Sequence, residues 1–123
     1  MRRHFNWIES MPIAKIFFDK SLTDKVRKHH ADLQNGLEHM MVDQLKTRPE
    51  LCQVIMVPSL YVSRLPVFVD LQFREADHRN RQVVDDCLKV IARLINNHLG
   101  SGVRIRAFDL NQSRLHALDV EAP

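Results

Sequence analysis

The chain has 123 residues, 45% of them hydrophobic and 27% charged, with a formal net charge of +3 and a pI near 9.1. That is one domain's worth of chain, globular rather than disordered in composition and long enough to bury one ordinary core but not two. The basic excess slightly favours small anions and is too weak to announce nucleic acid, and no apolar run approaches membrane-spanning length.

The opening "MRRHFNWIES" carries positive charge without an apolar h-region, so it is not a secretory signal, and the cytoplasm is the default location. Next comes "PIAKIFFD", a strand with Ala14, Ile16 and Phe18 on one face and Ile13, Lys15 and Phe17 on the other. "SLTDKV" opens a helix, with Thr23 as N-cap and Asp24 at its positive end. Val26, Leu33, Leu37, Met41 and Leu45 carry an apolar stripe to about Lys46, a helix of about 36 Å that Pro49 ends. "LCQVIMVPSLYV" reads as a second strand, interrupted or bulged at Pro58, and "SRLP" turns the chain.

The second half repeats the pattern. "PVFVDLQFRE" is a strand, and its Arg74 reads as a solvated edge; "ADHRN" is a polar loop. Arg81 to Leu99 form an amphipathic helix with Val84, Cys87, Leu88, Ile91, Leu94, Ile95 and Leu99 on one face, and Gly100 is its C′ stop. "GVRIRAFD" is a fourth strand, with Arg104 and Arg106 on one face and Val103, Ile105 and Ala107 on the other. The tail "LNQSRLHALDVEAP" has room for one short extension strand. Cys52 and Cys87 sit in apolar runs, share no metal-type spacing, and read as reduced core thiols. Adjacent His29 and His30 point to different sides of a helix, and His39 with Asp43 lacks a third ligand, so no metal is expected. No Gly-rich phosphate loop, nucleophile elbow or Cys–His motif is present.

The predicted fold class is therefore α/β (α+β): two β-α-β units forming a four-stranded mixed sheet with two helices on one face. Each long helix joins parallel strands by a right-handed crossover. The bare face would expose Ile13, Phe17 and Phe108, which points to oligomerisation.

"MPIAKI" followed by a Thr-Asp helix opening, "VIMVPSLYV", "VRIRAFDLN" and the closing "RLHAL", in this order, resemble the tautomerase superfamily over nearly everything after Met11. The length suits its double-unit members, 5-carboxymethyl-2-hydroxymuconate isomerase and macrophage migration inhibitory factor. The resemblance implies a single domain over residues 12–123, with residues 1–11 an N-terminal extension or a miscalled start. It implies a cofactor-independent isomerase of aromatic catabolism that performs a 1,3-proton shift on a small 2-keto or enol carboxylic acid. Pro12 would be its N-terminal base, since a terminal proline is a secondary amine whereas an internal one has no basic lone pair. Without the family, Pro12 reads as a strand-initiating proline.

The resemblance further implies a homotrimer whose sheets enclose a barrel, with active sites at subunit junctions. Arg104 and Arg106 would line a neighbouring subunit's pocket and hold the carboxylate, with Lys15 and Phe108 as further substrate contacts. The family's two dicarboxylate arginines fall on Leu22 and near Gln53 or Val54, where no arginine stands. A catalytically silent homologue serving as a trimeric binding protein is the alternative; a basic nucleic-acid-binding α/β module is a more distant one. No cofactor, metal, nucleic acid or membrane partner is expected.

Overall fold

The structure, a computed structural model, describes residues 12–114, 116 and 118–123. The expected extension over residues 1–11 lies outside them. In chain order the elements are β1 (Ile13–Asp19), α1 (Thr23–Leu45), β2 (Gln53–Ser59), β3 (Val67–Arg74), α2 (Arg81–Leu99) and β4 (Val103–Leu110). The strands form one sheet in the order β2-β1-β3-β4. β1 runs parallel to β2 and antiparallel to β3, and β3 runs parallel to β4. Each long helix thus bridges a parallel pair, as the β-α-β reading requires.

Period-two alternation decides which face is covered. Ala14, Ile16 and Phe18 of β1 and Val67, Val69, Leu71 and Phe73 of β3 are buried against Leu33, Leu37, Met41 and Leu45 of α1 and Cys87, Ile91, Ile95 and Leu99 of α2. Burying one such side chain fully contributes about 1.5–3 kcal/mol. The two helices touch closely at Gly36, where a Cβ would stand 2.7 Å from Leu94 Cδ2. A larger residue there would have to displace the Leu94 side chain or the helix that carries it. Burial raises the Cys52 and Cys87 thiols to about 11, so both are protonated core groups rather than nucleophiles.

Local sequence terminates the elements in different ways. Asn80 caps α2, its side chain accepting from the Val83 N–H at 3.0 Å, and Gly100 closes it at φ 58°. α1 has no side-chain cap; Thr23 is its first residue, and the Thr23 hydroxyl donates to the Lys20 carbonyl at 2.6 Å. It stops before Pro49 because Lys46 adopts the left-handed conformation at φ 57°. That conformation costs an L-residue about 1–2 kcal/mol, and glycine escapes the cost. Lys46→Gly is therefore expected to stabilise the fold by about 1 kcal/mol, seen as a higher urea midpoint at unchanged m-value.

β2 is shorter than expected, and it runs through Pro58, which stays in register opposite Phe18. An outer strand tolerates the missing N–H because one of its two edges has no ladder to serve. The tail forms a 3-10 turn, Gln112–Arg114, and no extension strand among the described residues. Among those residues no helix is long and apolar enough to cross a membrane.

Candidate active site

Pro12 stands immediately before β1 and is buried; its carbonyl accepts from the Gln53 N–H at 3.1 Å, locking the first residue of β2 beside it. From this end, the face opposite the helices carries three cross-strand rows. Ile13 lies between Gln53 and Gln72, with Phe108 beyond Gln72. Lys15 lies between Ile55 and Asp70, with Arg106 beyond Asp70. Phe17 lies between Val57 and Phe68, with Arg104 beyond Phe68, and the Phe17 and Phe68 rings are 6.2 Å apart.

Arg104 and Arg106 share a face, as the alternation predicts, and both are exposed. Within one chain they are remote from Pro12. Arg106 is two strands away and level with Lys15, which by strand spacings is about 14 Å. Its Nη1 donates to the Ile105 carbonyl at 2.9 Å. It also lines a cleft of about 450 Å³ with Asn80, Arg81 and Asp109, which opens at the outer strand rather than at Pro12. Lys15 is half-buried in the row next to Ile13, and Phe108 is 51% exposed. Lys46 and Arg48 are surface charges, and Arg48 pairs with Glu50 at 3.6 Å.

Arg74 overturns its sequence reading. The last residue of β3 is 3% exposed rather than solvated, and its Nε and both Nη atoms are buried without a hydrogen-bond partner among the described residues. Alternation along β3 puts it on the open face with Phe68, Asp70 and Gln72. Because Ile13 pairs with Gln72 in the antiparallel register, the Arg74 end of β3 is the Pro12 end of β1. A buried cation without a partner costs several kcal/mol, so its natural complement is an anion.

The backbone beneath it is clamped. Arg79 Nη1 donates to the Arg74 carbonyl at 2.7 Å and Arg79 Nε to the Leu45 carbonyl at 3.0 Å. The Arg79 guanidinium sits 6.0 Å from the centroid of the Phe73 ring, and burial lowers its pKa from the ordinary arginine value. Sequence reading missed Arg74 because β1–β3 adjacency is a tertiary fact; given that pairing, "FVDLQFR" alone would have placed it.

No protein-family model and no curated protein matches the sequence. Solved structures do. A macrophage migration inhibitory factor-like protein from Entamoeba histolytica superimposes with a TM-score of 0.67 at 11% identity, over 87% of this chain and 95% of that one. N1, a member of the cis-3-chloroacrylic acid dehalogenase family, gives 0.70 at 16% identity, over 90% and 83%. A fused 4-OT solved as a symmetric trimer gives 0.68 at 10% identity, over 85% and 90%. The chain has the tautomerase-superfamily fold. Pro12 stands immediately before the first strand of that fold. Leu22 is half-buried in the turn after β1 and Gln53 is exposed at the start of β2; among the described residues of the sheet the buried arginine is Arg74 on β3.

Proposed function

We infer that the protein is a tautomerase-type isomerase acting on a small 2-keto or enol carboxylic acid, with Pro12 as its base. The observation that carries this reading is the buried, unpartnered Arg74 guanidinium at the Pro12 end of the sheet. Its planar fork matches a carboxylate in bidentate fashion. Its charge would also depress the pKa of a neighbouring amine, keeping more of it unprotonated at neutral pH.

In the proposed reaction the carboxylate pairs with Arg74 once its guanidinium, buried in the single chain, turns out to the open face of the sheet. The Pro12 nitrogen takes a proton from the enol oxygen or the adjacent carbon, and returns it at the other position. The electron pair of the broken bond shifts the double bond between them, with no net oxidation. In a homotrimer, Arg104 and Arg106 of one subunit would line the next subunit's pocket and stabilise the enolate oxygen, with Lys15 and Phe108 flanking it.

This chemistry requires a free amine, so residues 1–11 must be absent from the working form. Protein beginning at Pro12 is expected to ketonise phenylpyruvate or 2-hydroxymuconate, measured by loss of enol absorbance. Protein retaining residues 1–11 is expected to show none above buffer, and equal rates would exclude Pro12 as base. The lack of arginines at Leu22 and Gln53 supports a second reading, a silent homologue that binds carboxylates. Binding without turnover from the Pro12-started form would select it.

A further inference from the structure

On the helix layer, folding assembles a group that local spacing does not reveal. His29 and Asp32 lie three residues apart on α1, on neighbouring positions of one face. His98 reaches them from the last turn of α2. The His29 and His98 rings are 5.5 Å apart, and ligand atoms of His29, Asp32 and His98 all lie within 4.8 Å of one another. We propose that these three side chains bind a divalent d-block cation of the zinc type, clamping α1 to α2.

The chemistry of the donor set points to that class. Two imidazoles and one carboxylate suit zinc-like ions, whereas magnesium and calcium prefer all-oxygen shells. A tetrahedral ion with bonds of about 2.0–2.1 Å holds its ligand atoms roughly 3.4 Å apart. Closing from the present spacing calls on rotation of the half-buried His29 and His98 and the exposed Asp32 side chains. The C-terminal end of α2 adds the negative pole of its helix dipole. One feature opposes binding: Lys25, a turn before His29, directs Nζ at the Leu99 carbonyl at 3.4 Å. Three protein ligands leave a fourth position for water.

The site lies behind the sheet and at its far end from Pro12, since α1 starts where β1 finishes; the length of β1 alone is about 20 Å. Its role is to fasten the helices, and it is independent of the proposed isomerase reaction. The expectation from sequence that no metal binds considered only neighbours along one helix, and this group spans two.

Titration of the full chain with zinc chloride by calorimetry is expected to show one zinc per chain and a higher unfolding temperature. His98→Ala and His29→Ala should each abolish the temperature shift, and Asp32→Asn should weaken binding about tenfold. His39→Ala, on an exposed position of the same helix, should behave as the parent. Cobalt(II) should give ligand-field bands without thiolate charge transfer. Absence of zinc binding, binding that survives both histidine substitutions, or a thiolate signature from Cys52 or Cys87 would each overturn the assignment.

Discussion

Pro12→Ala in a chain that starts at residue 12 is expected to lower kcat/KM for enol-acid ketonisation by about a hundred- to ten-thousandfold, the usual range for general acid–base groups. Alanine retains a terminal amine, so the loss measures what the secondary nitrogen and its ring supply. That ring is held in place: Pro12 is buried, and its carbonyl is pinned by the Gln53 N–H at 3.1 Å. A freely rotating amine at the same strand end would spend less time aimed at the substrate. The pH profile gives a second readout. If the unprotonated amine is the base, kcat/KM rises with pH through the amine's pKa and then levels. Unchanged kcat/KM in the alanine form would remove the base assignment, whatever the fold.

Arg74→Met separates function from stability by moving them in opposite directions. The side chain is 3% exposed, and among the described residues none partners its three nitrogens. Replacing a buried charge by an apolar chain of similar volume is commonly neutral or stabilising, by up to about 4 kcal/mol. Raised resistance to urea is therefore expected. Turnover should fall, because a charge-assisted hydrogen bond contributes about 1.5–3 kcal/mol, or roughly ten- to hundredfold in kcat/KM. The ascending limb of the pH profile should also move to higher pH, since removing a nearby cation raises the amine's pKa. A residue that only holds the fold together would lose stability on substitution and leave the pH profile in place; that outcome would exclude the carboxylate role.

The elements legible in the sequence were those whose signals are local. Alternation in "PIAKIFFD" separated the faces of β1 correctly, and the apolar period from Arg81 to Leu99 with Gly100 beyond it marked α2 to the residue. The end of α1 was placed within one residue, though its left-handed Lys46 carries no compositional mark. Pro58 was read as an interruption because strand interiors normally exclude proline, and only the outer position of β2 in the sheet order permits it. The site followed the same division. For the proposed site, the resemblance supplies Pro12 and the roles of Arg104 and Arg106, while alternation supplies only the shared face of the two arginines. Arg74 required knowing that β3 lies antiparallel to β1, and the His29–His98 approach required knowing how the helices pack.

The clamp under β3 has a wider consequence. One guanidinium, Arg79, grips the final carbonyl of α1 and the final carbonyl of β3 at once. The end of the first helix and the end of β3 therefore share a rivet in the segment that leads into α2. Changes that loosen the end of the first helix would be felt at the end of β3, where Arg74 stands. At the proposed site, a change of substrate preference would be constrained from behind, by packing, as well as from the front.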